Sequence, residues 1–249
     1  MKRNLHDAKN DTLQALMASI IWASPPAPGI VVAALTDDSL WTEDDLATCL
    51  AETERNRAGQ MADPVERRHY ILRRCFQRVF LKILLDWQGA LPDLRIVHRV
   101  DTQPHCPDAP LYRLSFSSSG STALACASLN HQVGIDVEKI RTIESVAQLA
   151  QRFFTAEESA STMKCARNEQ GIHFLHLWTA KEAGLKAIGK GIVSGLNSFV
   201  VTHIKNNYTI EKADKLTGIG PWSLRYLELL PQHIVAVVHR PDNSETAFL

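Results

Sequence analysis

The stretch Trp178-Thr179-Ala180-Lys181-Glu182-Ala183-Gly184-Leu185-Lys186-Ala187-Ile188-Gly189-Lys190-Gly191 reads as the last turns of a helix running into a lysine between two glycines. Trp178, Glu182 and Lys186 recur every four residues, so they form one slowly drifting stripe on the helix surface. Gly189 and Gly191 are natural helix stops, because glycine accepts the left-handed cap conformation. Alone, Glu182 and Lys186 describe an ordinary i,i+4 ion pair with the acid on the N-terminal side. A carboxylate and an ammonium aimed together also suit a metal-bound phosphate. The rest of the chain has to decide between the two.

The second informative piece lies upstream, Gly134-Ile135-Asp136-Val137-Glu138. On a strand alternate residues share a face, so Asp136 and Glu138 point one way while Ile135 and Val137 enter a core. Two adjacent carboxylates repel and are costly unless a cation sits between them. Hard oxygen donors with no cysteine or ligating histidine nearby favour magnesium over zinc. The plain alternative is an exposed strand that happens to carry two acids. His173 and His176, three apart on the helix, lack a third ligand and read as structural or surface histidines. No G-x-S-x-G, P-loop or G-x-G-x-x-G pattern is present, so serine hydrolase, NTPase and dinucleotide readings lack support.

Around these two pieces the chain alternates strands and helices. A short helix is expected over 11–22, ended by the linker Ser24-Pro25-Pro26-Ala27-Pro28-Gly29. A strand follows at 30–35, then helices over 43–61 and 64–85. The second helix carries an apolar stripe through Leu72, Cys75, Phe76, Val79 and Ile83, with Arg67, Arg74 and Arg78 expected opposite. Strand-like runs occupy 94–100, 111–116, 122–129 and 133–140. The serine-rich turn from Ser115 to Ser121 joins two of them and offers hydroxyls and N–H groups to an anion. Helices are expected over 145–154, 156–167 and 171–188, with Thr155 and Glu158 forming a capping box. Strands at 196–204, 208–212, 222–229 and 233–239 close the chain. The order predicts an α+β fold of two similar halves, 1–130 with an extension at 1–29, and 131–249, with a site between them.

Composition narrows the partners. The chain has 249 residues with 27 Lys+Arg against 27 Asp+Glu, so net charge points to neither nucleic acid nor membrane. Locally, residues 52–82 hold eight basic residues against four acids, a patch able to hold phosphate or a merely solvated helix face. Five scattered cysteines without a C-x-x-C pair argue against disulfides and zinc, and suit a reducing cytoplasm. The apolar runs are too short to span a bilayer, and the N-terminal segment reads as an amphipathic extension.

The ordered triple G-I-D-V-E at 134–138, R-F-F-T-A-E-E at 152–158 and W-T-A-K-E-A-G-L-K at 178–186 resembles the 4′-phosphopantetheinyl transferases of the longer, surfactin-synthetase-activating type. The resemblance covers about 60 residues well and is thin across the first half. It implies two pseudo-twofold α+β halves in one chain, for which a monomer suffices. It also implies magnesium-dependent transfer of phosphopantetheine from coenzyme A to a serine of an acyl or peptidyl carrier protein. Adenosine 3′,5′-bisphosphate would leave. By the same resemblance Asp136, Glu138 and Glu182 would hold the metal, and Glu182 would accept the serine proton. Lys186 would contact the pyrophosphate with Lys181 beside it, and Arg55 and Arg57 would face the 3′-phosphate. The carrier's acidic helix would dock along 141–154.

Two departures weaken the match. The family commonly carries Ser-His-Ser before the glycine, where this chain has Ser117-Ser118-Ser119-Gly120. Ser117 and Ser118 can donate hydrogen bonds to phosphate, but serine carries no positive charge. The family commonly carries Gly-Lys-Pro, where this chain has Thr102-Gln103-Pro104. Each lost cation would cost ~1 to 3 kcal/mol if it made a charge-assisted bond. These departures motivate a rival reading, a weakened homologue that binds carrier or coenzyme A without transfer.

Overall fold

The computed structural model describes residues 13–36, 41–99, 102–190, 195–204, 207–211 and 221–242. The first half contributes strands β1 (Ile21–Trp22), β2 (Ile30–Thr36), β3 (Arg113–Ser119) and β4 (Thr122–Ser128). They form one antiparallel sheet in the order β1-β2-β4-β3. Its helices are α1 (13–18), α2 (Glu43–Ala47), α3 (Glu52–Gly59) and α4 (Pro64–Leu85). The second half contributes β5 (His131–Lys139), β8 (Ser223–Tyr226) and β9 (His233–Pro241), in the sheet order β5-β9-β8. Beside that sheet lie a hairpin of β6 (Val200–Ile204) and β7 (Asn207–Glu211), and helices α5 (Val146–Phe153), α6 (Ala156–Lys164) and α7 (Gln170–Ala187).

Three apolar clusters set the layers. Leu72, Phe76, Val79 and Phe80 of α4 pack against Ala33, Leu35, Leu114 and Ala125 on one face of the first sheet. Phe174, Leu177, Ala180 and Ala183 of α7 pack with Ala236 and Val238 of β9 in the second half. Between the sheets, Ile30, Val32, Leu124 and Cys126 meet Val133, Ile135, Val137, Val235 and Val237. The fold is α+β, two helix-covered sheets packed face to face, each large apolar side chain contributing about 1.5–3 kcal/mol of transfer free energy. On β5 this fixes direction: the odd-numbered residues enter the inter-sheet core, so Asp136 and Glu138 face α7.

Local sequence signals explain the element ends that matter. Asp63 caps α4 by accepting from the N–H groups of Val65 and Glu66 at 2.8 and 3.3 Å, with Pro64 in the first turn. Thr155 and Glu158 form the expected capping box, at 3.3 Å and 2.9 Å. Gly120, at φ 56°, makes the two-residue turn between β3 and β4, where Ser119 lies opposite Thr122.

Several expectations change. The helix expected over 11–22 stops early, because Ile21 and Trp22 pair with Ala34 and Ala33 as an edge strand. The helix expected over 43–61 is two, broken before Ala51, whose extended backbone starts α3. The strand expected at 94–100 reduces to one bridge, Val97 to His105, after a 3-10 turn at Leu91–Asp93. Arg78 does not project outward: it is buried and pairs with Glu54 at 2.7 Å, while Arg67 pairs with Glu43 at 2.9 Å. Residues 1–12 of the extension, residues 100 and 101, Gly191 and Lys212 lie outside the described residues.

Candidate active site

The site starts from a glycine. A Cβ on Gly134 would stand 2.0 Å from the Ala183 carbonyl oxygen and 2.5 Å from the Ala187 nitrogen. Only glycine lets α7 lie this close on β5, and that contact sets which α7 side chains reach the strand. Those residues are Glu182 and Lys186, drawn up to Asp136 and Glu138. Lys186 Nζ lies 2.5 Å from Asp136 Oδ1 and 3.7 Å from Glu182 Oε2. Ser117 closes the cluster from β3: its hydroxyl donates to Asp136 Oδ1 at 2.7 Å and accepts from Lys186 at 2.9 Å. Residues from both halves therefore meet at one carboxylate.

The electrostatics are those of crowded acids. Burial, reinforced by the Asp136 carboxylate, pushes Glu182 up to about 7. Burial and Asp136 likewise raise Glu138, while the charges of Arg141 and Lys186 partly oppose the rise. Burial works against the charge on Lys186, but Asp136, Glu182 and Glu138 more than compensate and its pKa rises. Asp136 is 2% exposed, and its Oδ2 is buried without a hydrogen-bond partner among the described residues. Such an atom is costly to leave unpaired and is a natural oxygen donor to a hard cation. As arranged here, no group of three or more His, Cys, Asp or Glu among the described residues is gathered closely enough to hold a metal ion. Lys186 supplies the positive charge between the carboxylates in this arrangement.

Lys181 is not brought to this cluster. It is 0% exposed, donates to the carbonyls of Leu196 and Phe199 at 2.6 and 2.5 Å, and pairs with Glu158 at 2.8 Å. Glu158 also accepts from Val201 N–H at 2.8 Å, so this pair ties α6, α7 and the chain entering β6 together. Lys181 belongs to the core. His173 and His176 are likewise structural, bonded to the Tyr208 hydroxyl at 3.1 Å and the Ile172 carbonyl at 2.9 Å.

Next to Ser117 opens a basic cleft of about 300 Å3, lined by Arg57, Arg73, Arg74, His98 and Ser118. Arg57 and Arg74 sit over the Tyr70 ring, 5.4 and 5.6 Å from its centre. Of the two arginines singled out in the sequence, Arg57 faces the cleft, whereas Arg55 donates to the Leu50 carbonyl at 2.6 Å and does not line it. Arg73, Arg74 and His98 join Arg57 in the cleft, although none of the three was singled out as a phosphate contact. The first two lie in the basic run of residues 52–82, but nothing local marks His98. Ser115 and Ser119 accept from the N–H groups of Ile135 and Lys139 at 3.0 and 3.2 Å, so they knit β3 to β5 instead of facing an anion. On the other side of Glu138 lies a second cleft of about 470 Å3, floored by Ile143, Leu149, Phe153 and Trp178 with Arg141 at its edge.

The basic cleft is lined by Ser117, which bonds Asp136 and Lys186, and the apolar cleft is lined by Glu138. A family model described as the 4′-phosphopantetheinyl transferase superfamily matches residues 132–238. The chain is 32% identical over 155 residues to 4′-phosphopantetheinyl transferase Sfp of Bacillus subtilis, covering 61% of this chain and 66% of that protein. It is 31% identical over 193 residues to 4′-phosphopantetheinyl transferase HetI of Nostoc sp., covering 75% of this chain and 76% of that protein. Over 92 residues it is 39% identical to 4′-phosphopantetheinyl transferase gsp of Aneurinibacillus migulanus, covering 37% of this chain and 38% of that protein. The matched part thus spans just under two thirds of the Bacillus subtilis relative.

Proposed function

Because the chain belongs to the 4′-phosphopantetheinyl transferase superfamily, we propose that it transfers phosphopantetheine from coenzyme A to a serine hydroxyl of an acyl or peptidyl carrier protein. The observation that carries this reading is the convergence of Asp136, Glu138, Glu182 and Lys186 beside a basic cleft. The serine oxygen attacks the phosphorus that bears the pantetheine arm. A new P–O bond forms as the pyrophosphate P–O bond breaks, and adenosine 3′,5′-bisphosphate leaves. Glu182 accepts the serine proton, and in the metal-free site burial and Asp136 raise its pKa to about 7. Lys186 neutralises charge on the phosphates, while Ser117 and Asp136 hold its ammonium in place. Arg57, Arg74, His98 and Ser118 receive the nucleotide phosphates.

Magnesium suits the chemistry of these hard oxygen donors, and Asp136 Oδ2 lacks a partner among the described residues, although the three carboxylates would have to draw closer together than they stand here. Asp136, Glu138 and Glu182 would hold it, and it would offset charge on the pyrophosphate. Labelled coenzyme A, an apo carrier domain and magnesium should yield labelled carrier, and EDTA should abolish the transfer. Labelling that survives EDTA would remove the metal from the account.

The division into units at residue 130 and a monomeric state belong to the same proposal, the site being completed within one chain by Ser117 from β3. The carrier would approach across α5, where Arg152 lies over the Phe153 ring at 5.0 Å and Phe153 packs edge-on against Trp178 at 5.3 Å. Among the described residues no helix is long and apolar enough to cross a membrane.

Arg57→Ala should raise KM for coenzyme A about 10-fold to 100-fold, the loss of one charge-assisted contact, and leave kcat nearly unchanged. A normal KM would remove Arg57 from the phosphate site. The second reading, binding without transfer, draws on the neutral Ser118 in that cleft. Calorimetry with coenzyme A and magnesium separates the two by comparing wild type with Ser118→His. Tight wild-type binding together with turnover excludes it.

A further inference from the structure

The last four carbonyls of a helix have no partner within it. At the end of α7 the turn bonds part of this set: Lys190 N–H donates to Leu185 O at 2.9 Å and Gly189 N–H to Lys186 O at 3.1 Å. With Gly189 at φ 70°, this is a Schellman motif. A side chain from the other half completes it. The Gln103 amide nitrogen lies 3.1 Å from Lys186 O, 3.2 Å from Ala187 O and 2.9 Å from Val133 O on β5. Its two N–H groups are shared among three carbonyls. The loop presses onto the turn as well, since a Cβ on Gly189 would approach the backbone nitrogen of Gln103 to 3.0 Å.

We infer that Gln103 is a positioning residue for Lys186. One amide from the first half pins the end of α7 against β5, at the residue whose ammonium must stay on Asp136 and Ser117. Gln103 borders a small cleft of about 160 Å3 with Lys186 and Lys190, yet its donors are spent on carbonyls. The cations of that cleft are the two lysines, and Gln103 does not bind phosphate. The kinetic half of this inference rests on the proposed transfer, the structural half does not.

Gln103→Met removes the donors at similar length, whereas Gln103→Lys keeps N–H groups within reach of the same carbonyls. The expected result for Gln103→Met is a kcat lower by about tenfold, close to one net hydrogen bond, with KM for coenzyme A within about twofold of wild type. Gln103→Lys should recover most of kcat. Hydrogen exchange at the Gly189 and Lys190 amides should quicken about tenfold in Gln103→Met and stay slow in Gln103→Lys. Gln103→Asn, one methylene short of the carbonyls, should give the same pattern more mildly, and serves if the methionine variant does not fold. A raised KM with normal kcat would make Gln103 a substrate ligand and overturn the inference. Unchanged exchange would overturn it even if no carrier is ever modified. Faster exchange in a protein without transfer would support the tie and sink only the proposed function.

Discussion

Glu182→Gln is expected to lower carrier modification by about 10² to 10⁴-fold, the usual contribution of a positioned proton acceptor. The substitution keeps the shape of the side chain and removes its basicity and one negative charge. The expected effect is on chemistry, because Glu182 lies among acids: Asp136 and Glu138 both push its pKa up after burial has done so. Removing one of three repelling carboxylates should leave the metal-free protein as stable as wild type or slightly more so. A thermal melt in EDTA checks this alongside the assay. Loss of activity with a lowered melting temperature would point to misfolding, and full activity would remove Glu182 from the mechanism.

The second large effect concerns the other charged residue of the same helix. Lys181→Met should cost about 3–5 kcal/mol, the price of leaving a buried charge without its partner. Glu158 would lose its ammonium inside the core, and the Leu196 and Phe199 carbonyls would lose a donor. Set against a total of about 5–15 kcal/mol for a domain, that removes a large share of the stability. The double variant Lys181→Met/Glu158→Gln should recover much of the loss, because two neutral side chains leave no orphaned charge. Urea denaturation of the two single variants and the double variant measures the coupling. A Lys181→Met cost under about 1 kcal/mol would place this lysine outside the core framework.

Lys181 and Lys186 also show what the sequence could reveal. Both are lysines on one helix, five residues apart, and α7 is buried on most of its surface, so no polar face separates them. Which one reaches the carboxylates depends on how α7 sits on β5, and the Gly134 contact with Ala183 and Ala187 decides that. Strand alternation alone placed Asp136 and Glu138 on one face, because period-two geometry is local. The start of α4 was legible for the same reason, in Asp63 followed by Pro64. Arg78 was misjudged because its burial depends on Glu54, a residue on a different helix. Gln103 read as a lost cation, while in the fold it caps α7 from 83 residues away. Long-range partners of this kind leave no local pattern. His98 reaches the basic cleft in the same way.

The most direct measurement is the intact mass of apo acyl and peptidyl carrier domains after incubation with this protein, coenzyme A and magnesium. The account predicts that at least one carrier gains a single phosphopantetheine on its serine, and that the gain is lost with Glu182→Gln. Unchanged masses across a panel that a known transferase modifies would contradict it.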